Sequence, residues 1–148
     1  MTRDPVKRRW SHAKRFFSKR GINPLQGGIA AVPREELLAF LGDTRPLGEF
    51  SAIVERWTSI FPSRQFLIVS QEGTLAHPRD AYDAVLEHIG VSRGYDPGKI
   101  KLLTAKTNLG PKVEMPEDIA NYLEAMFGEE RKRLKALLGD SVAVHGGR

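Results

Sequence analysis

The sequence predicts a predominantly helical α/β chain in which helices pack on an incomplete parallel sheet. The clearest strand is residues 65–70 (QFLIVS), which are apolar without alternation, as is typical of a strand covered on both faces. Two further strand candidates, residues 29–32 and 100–103, are weak. In most of the remaining chain, apolar residues recur at helical spacing. A central parallel strand without strong neighbours indicates that part of the sheet is missing.

The first helix is predicted over residues 4–20. Asp4 can cap the free amide groups, and the proline that follows it suits the first helical position. Trp10, Ala13 and Phe17 then recur at helical spacing and form an apolar stripe. We expect this stripe to face the core.

Four later helices follow from the same periodicity. The second of them is expected to bury Trp57, and Gly128 is a candidate position for a bend in the last. Loops rich in glycine and proline separate several of these segments. The predicted helices cover residues 33–41, 50–60, 78–89 and 116–138.

The composition excludes several classes of protein. The chain contains no cysteine, which rules out disulfides, thiolate zinc sites and cysteine nucleophiles. No apolar stretch approaches the ~20 residues that span a bilayer, and no apolar signal-peptide segment follows the basic start. The four histidines show no metal-ligand spacing. We therefore expect a cytoplasmic protein without a membrane segment or a metal.

The net charge of +5 is concentrated at the start of the chain. Residues 1–20 contain eight lysines and arginines against the single acid Asp4. Such a segment is expected to meet an anionic partner. The alternative is a basic helix that is simply solvated.

The most informative motif is the run from Arg3 through Asp4 to Ser11. Arg3 directly precedes a helix, where open α/β sheets place ligand contacts beyond the strand ends. Its planar guanidinium can hold a phosphate through two parallel hydrogen bonds, and Ser11 can add a hydroxyl donor. The run resembles the 3'-phosphate-binding segment of the sulfotransferases that use 3'-phosphoadenosine 5'-phosphosulfate (PAPS). In that family, a serine stands eight residues after the arginine of an Arg-Asp-Pro run, as Ser11 does here.

A second block, residues 55–91, is also similar to this family. It comprises an amphipathic helix ending in Phe-Pro, a strand, a turn that contains Glu72, a proline-led helix and a glycine stop. The chain departs from the family at Gln71, where the family usually has an aromatic residue that stacks on adenine. It departs again at Gly73, which replaces an acid.

A third block lies near the carboxyl end. Residues 108–112 and the helix ending at Gly139 resemble the loop that covers the cofactor and the closing helix of the family. In the family, a loop containing lysine and glycine contacts the nucleotide phosphates. Lys106 and Lys112 are the candidates here, and Lys112 joins Arg3 and Ser11 in the predicted cofactor site. Solvated loop lysines are the equal alternative.

The resemblance implies a P-loop-type, three-layer sulfotransferase fold in which the amino-terminal half is absent. No segment matches the family's phosphate-binding loop with its lysine, and the catalytic base of the family belongs to the same half. The catalytic residues are therefore unassigned. We expect a partial sulfotransferase domain over residues 1–139 and a disordered tail over residues 140–148.

The implied function is sulfuryl transfer from PAPS to an acceptor hydroxyl or amine, of carbohydrate-like character, with 3'-phosphoadenosine 5'-phosphate as product. This chain would be a truncated form, or would need a missing half. The open edge of an incomplete sheet also predicts self-association. The rival hypotheses are a small basic protein that binds nucleic acid, which the second and third blocks disfavour, and a non-catalytic remnant.

Overall fold

The computed structural model describes residues 2–20, 28–92, 113–138 and 143–145. The sequence predicts one partial domain, whereas the contacts divide the chain into two compact units. The strand-bearing unit consists of Met1–Arg3, Phe50–Thr107 and Lys132–Arg148. The helical unit consists of Asp4–Glu49 and Asn108–Arg131. The predicted strand 100–103, Lys106 and Lys112 lie outside the described residues.

The predominantly helical character is confirmed, and a helix occurs in each of the five predicted segments. None of the helices within the described ranges is long and apolar enough to cross a membrane. Short 3₁₀ helices lie at Gly28–Ala31, Arg45–Gly48 and Ser63–Gln65. The α-helices are α1 (Pro5–Lys19), α2 (Arg34–Asp43), α3 (Ser51–Ile60), α4 (Gln71–Ala76), α5 (Pro78–His88) and α6 (Glu117–Leu138).

Helix α4 was not predicted, since the sequence indicates only a turn around Glu72. The side chain of Ser70 caps this helix, because its hydroxyl oxygen accepts a hydrogen bond of 3.0 Å from the amide of Gly73. Glu72 then places an acid in the first turn, where the helix dipole favours it. The cap and the acid are local signals that stabilise the start of this short helix.

The core of the helical unit is formed by apolar stripes of its three α-helices. The stripe of α1 is buried as predicted, and Trp10 is 6% exposed. The indole Nε1–H of Trp10 also donates a hydrogen bond of 3.2 Å to the carbonyl oxygen of Val113. The buried side chains are Val6, Trp10, Ala13 and Phe17 of α1, Leu37 and Leu41 of α2, and Ile119, Leu123 and Phe127 of α6, with Ile29 and Val32 beside them.

The predicted strand 29–32 is wrong. Gly28 has a φ of +52°, and the following residues form a 3₁₀ helix instead of a strand. Ile29 and Val32 are 5% and 7% exposed. Their apolar character reflects burial in the helical core, which a short apolar run does not distinguish from burial in a sheet.

The strand-bearing unit contains β1 (Leu67–Val69) and β2 (Ala143–His145). These strands pair antiparallel, with Leu67 opposite His145 and Val69 opposite Ala143. The expectation of a parallel sheet is therefore corrected for the described strands, where parallel pairing is limited to one bridge between Thr2 and Ser70. The residues of β1 are only partly buried, so its unbroken apolar run does not mark a strand covered on both faces.

Strand β2 belongs to the segment 140–148, which the sequence predicts to be a disordered tail. Its three residues instead complete a ladder with β1. The pairing joins residues far apart in sequence, and nothing local in the tail indicates its partner.

The apolar face of α3 is exposed, contrary to the prediction. Trp57 and Ile53 are each 50% exposed, and Ile60 is 64% exposed. The ring of Trp57 stacks on Phe61 at a centroid distance of 5.4 Å and meets Phe66 edge-on at 6.0 Å. Helical spacing predicted one apolar face here but did not determine whether that face is covered.

Replacing Gly48 with alanine is expected to lower the free energy of unfolding by about 1 to 3 kcal/mol. An added Cβ would lie 2.5 Å from Cε1 of Phe127, whose side chain is 1% exposed, so the ring would have to shift within the core. Chemical denaturation of the purified variant measures the change.

The matched control is Gly128→Ala in α6, which runs without a break through Gly128. There an added Cβ would meet only Oε1 of Glu124, at 3.8 Å. Higher helix propensity should then raise the free energy of unfolding by about 1 kcal/mol. Equal effects of the two substitutions would contradict the packing of Gly48 against Phe127.

Candidate anion-binding site

Backbone pairing in the strand-bearing unit fixes the position of Arg3. The amide of Thr2 donates to the carbonyl oxygen of Val69, and the amide of Gln71 donates to the carbonyl oxygen of Thr2, each at 2.8 Å. Thr2 is 7% exposed. Arg3 follows it directly and therefore lies beside the carboxyl end of β1. Its side chain is partly exposed.

Asp4 fixes the start of α1 in the helical unit. Its Oδ1 accepts a hydrogen bond of 2.9 Å from the amide of Lys7, and Pro5 occupies the first helical position. The guanidinium of Arg131 holds the same carboxylate, with Nε 2.7 Å from Oδ2 and Nη2 donating to Oδ1 at 3.3 Å. Nη1 of Arg131 donates to Glu124 Oε1 at 2.7 Å. The carboxylate of Asp4 is thus occupied by the cap of α1 and by Arg131.

The predicted cofactor residues are distributed over the two units. Ser11 lies on α1 in the helical unit and is partly exposed. Arg3 belongs to the strand-bearing unit, and each residue is placed within its own unit. Lys112, the third predicted cofactor residue, lies outside the described residues.

The structure also brings together a group of basic residues that the sequence did not single out. We call Arg8, Arg9 and His12 the α1 cationic cluster. Arg9 is 1% exposed, and its Nη1 lies 3.2 Å from Nδ1 of His12. Its guanidinium carbon is 6.0 Å from the ring centroid of Phe40 on α2. Burial, and then the charge of Arg8, lower the pKa of Arg9 from its ordinary value.

His12 accepts a hydrogen bond from Arg9, because a guanidinium can only donate. The ring of His12 also packs at 5.4 Å from the ring of Phe40. Burial lowers the pKa of His12, and the charges of Arg9, Arg8 and Arg15 lower it further. His12 is therefore a neutral, partly buried residue in a positive environment, where the sequence indicates a surface histidine.

The chemistry that these residues support is the binding of oxyanions. Guanidinium groups and a hydroxyl donate hydrogen bonds and attract negative charge. Within the described ranges, no three histidine or carboxylate side chains lie together as metal ligands. A separate open cleft of about 340 Å³ in the strand-bearing unit is mostly apolar and is lined by Ile53, Arg56, Trp57, Ile60 and Phe61.

Sequence reasoning missed the burial of Arg9. The available signal was its position, since residues 6, 9, 10, 13 and 17 fall on one face of a helix. An arginine within an apolar stripe is expected to be buried with it unless its side chain reaches solvent.

Comparison with models of protein families, with curated proteins and with solved structures finds no match to the chain. The resemblance to the sulfotransferases therefore stands on its sequence motifs.

Asp4→Ala should lower the free energy of unfolding by about 1 to 2 kcal/mol, because the cap of α1 is lost. Asp4→Asn should cost less, since asparagine caps a helix as well as aspartate, while the charge that pairs with Arg131 is removed. Chemical denaturation of both variants measures the difference.

The control is Asp43→Ala, at an exposed position in the last turn of α2. An acid there opposes the helix dipole, so its removal should leave stability unchanged or slightly raised. If Asp4→Ala destabilised the chain no more than Asp43→Ala, Asp4 would not be an effective cap.

The lowered pKa of His12 predicts a pH dependence of stability. Above its ordinary pKa of 6.5, His12 is neutral in the folded and the unfolded chain, so its protonation does not lower the free energy of unfolding. As the pH falls through that value, the unfolded chain binds the proton more readily, so stability decreases. His12→Gln should therefore reduce the loss of unfolding free energy between about pH 7 and pH 5.

Denaturation at the two pH values, with His77→Gln as the control at an exposed histidine, checks this expectation. The same loss in His12→Gln as in the wild type would show that His12 does not couple folding to pH.

Proposed function

We propose that this chain forms the part of a PAPS-dependent sulfotransferase that binds the 3'-phosphate of the nucleotide. The observation that carries the proposal is the strand end at Arg3. Thr2 pairs with the end of β1, Arg3 follows, and Asp4 begins α1. A strand end, an arginine and a capped helix thus follow one another in the order that the family motif requires.

Arg3 is the principal phosphate contact in this proposal. Asp4 caps α1 and carries a negative charge, so the amide groups at the start of this helix are not offered to an anion. The positive charge has to come from side chains, and the guanidinium of Arg3 supplies two parallel donors for two phosphate oxygens. Ser11 would add a hydroxyl hydrogen bond, and Lys112 would add charge.

The proposed reaction is in-line transfer of the sulfuryl group from PAPS to an acceptor hydroxyl or amine, of carbohydrate-like character. By analogy with phosphoryl transfer, catalysis rests on positioning and on stabilising charge. The residues of this chain would hold the nucleotide by its 3'-phosphate, which orients the sulfate-bearing end toward the acceptor. The catalytic base and the lysine beside the leaving phosphate are not assigned to this chain.

Gln71 departs from the family pattern in two ways. Gln71 stands where the family has an aromatic residue, and it begins α4 instead of lying in a turn. An amide side chain cannot provide the π-stacking of an aromatic ring on adenine. We therefore expect the phosphate contacts to contribute more of the binding energy here than the base contacts do.

Binding of nucleic acid by the basic α1 is the second candidate. Two of its three aromatic Trp and Phe residues are not available to stack on bases, because Trp10 and Phe17 are 6% and 1% exposed, whereas Phe16 is partly buried. Arg9 is buried as well, whereas Lys7, Arg15 and Lys19 are exposed. Fewer basic side chains of α1 are therefore able to contact a nucleic acid backbone than the sequence indicates.

The test is calorimetric titration of the purified chain with 3'-phosphoadenosine 5'-phosphate. Arg3→Ala should weaken binding by about ten- to a hundredfold, since hydrogen bonds to a charged group contribute ~1.5–3 kcal/mol. Ser11→Ala should weaken it by roughly three- to tenfold, because a neutral hydrogen bond contributes about 0.5–1.5 kcal/mol. Arg79→Ala, at an exposed arginine of α5, is the control and should leave binding unchanged.

A parallel titration with duplex DNA at two salt concentrations separates the two candidates. Nucleotide binding that depends on Arg3 would support the cofactor site. DNA binding that falls steeply with salt, without any nucleotide binding, would replace the proposal with the nucleic-acid hypothesis.

A further inference from the structure

Arg9 is a buried cation without a carboxylate partner in the described part of the chain. It is 1% exposed, and no described aspartate or glutamate forms an ion pair with it. Arginine keeps its proton in proteins, and charged residues are almost never fully buried unless they are paired. The burial of Arg9 is therefore costly unless an anion or further hydrogen bonds compensate its charge.

The hydrogen bonds of the guanidinium show where that anion would bind. Nη1 faces Nδ1 of His12 at 3.2 Å. Nε and Nη2 are closed off from solvent and have no hydrogen-bond partner among the described residues, so an anion reaches them only when the side chains around Arg9 move apart. These two groups form one edge of the guanidinium, with two parallel N–H bonds at the spacing of two oxygens of an oxyanion. In Arg131 the same edge faces the carboxylate of Asp4, with contacts of 2.7 and 3.3 Å.

The surroundings of this edge favour an anion of high charge. Arg8 and Arg15 add positive charge around His12, and the electrostatic influences that lower the pKa of Arg9 and of His12 all come from arginines. A neutral His12 that accepts at Nδ1 carries its proton on Nε2, which leaves one further donor in the α1 cationic cluster. Burial strengthens each of these interactions, since water screens them less.

We propose that the Nε–Nη2 edge of Arg9, within the α1 cationic cluster, binds a tetrahedral oxyanion of the phosphate or sulfate type. The anion is held by two charge-assisted hydrogen bonds from Arg9, and its charge offsets that of Arg9. This site uses neither Arg3 nor Ser11 and does not depend on the sulfotransferase proposal. It lies entirely in the helical unit.

Thermal unfolding of the purified chain in inorganic phosphate, against chloride at the same ionic strength, tests the site. Binding to the folded state should raise the Tm by about 5 to 10 °C at phosphate concentrations a hundredfold above Kd. Arg9→Lys keeps the charge but removes the two-donor edge, so it should weaken phosphate binding by about ten- to a hundredfold. Arg79→Lys, at an exposed arginine of α5, should leave the rise in Tm unchanged.

Arg9→Met provides a second variant. It removes the buried charge, so in chloride it should be at least as stable as the wild type, and phosphate should no longer stabilise it. The ¹H–¹⁵N resonance of the Arg9 Nε–H in the wild type gives a direct readout, because it should shift as phosphate binds.

Three further samples identify the anion and the site. Sulfate should act as phosphate does, whereas acetate should have little effect, and acetate equal to phosphate would overturn the choice of a tetrahedral anion. The Arg3→Ala variant should keep its response to inorganic phosphate. Loss of the response in Arg3→Ala, with its retention in Arg9→Lys, would assign the ion to the 3'-phosphate contacts and overturn the Arg9 site. An unchanged Tm of the wild type in phosphate would overturn it as well.

Discussion

The packing of α1 imposes the constraint from which the other features of the helical unit follow. Trp10, Ala13 and Phe17 must face the core, and helical geometry then fixes the direction of every other side chain on α1. Arg9 lies on the same face of α1 and is buried together with these residues. The apolar residues supply the stabilisation, and the buried guanidinium is a cost that only an anion or a hydrogen-bonding partner offsets.

Charged side chains stabilise the start of α1, whereas Arg3 follows a residue whose backbone forms hydrogen bonds. Asp4 satisfies an amide at the helix start and is itself held by Arg131 from α6. The backbone groups of Thr2 pair with Val69 at the end of β1 and with Gln71 at the start of α4. Arg3 follows the paired backbone of Thr2, and its side chain is partly exposed. A ligand contact at this position gains from the paired backbone, whereas the arginine side chain still loses rotamer freedom on binding.

Local signals made the helices predictable, and non-local pairing made the strands difficult. The limits of α1 follow from Asp4 and the proline after it, which act within one turn of the chain. Periodicity in α3 identified an apolar face, but Trp57 shows that only tertiary packing decides whether such a face is covered. The partner of β1 lies in the tail, and no local pattern connects the two. For the site, the motif at Arg3 was visible in the sequence, whereas Arg9 was concealed by the basic composition of its segment.

Arg9 and Ser11 can serve two different anions because of helix geometry. Two residues along an α-helix correspond to a rotation of about 200°, so the two side chains leave α1 on nearly opposite faces. A phosphate held by Ser11 is therefore not in reach of the buried edge of Arg9 through a simple change of rotamer. If both positions bind oxyanions, α1 carries one at its partly exposed face and one at the buried guanidinium of Arg9. The first anion would be the phosphate group of the nucleotide, which binds and leaves with it. The second would be an ion that stabilises the folded chain.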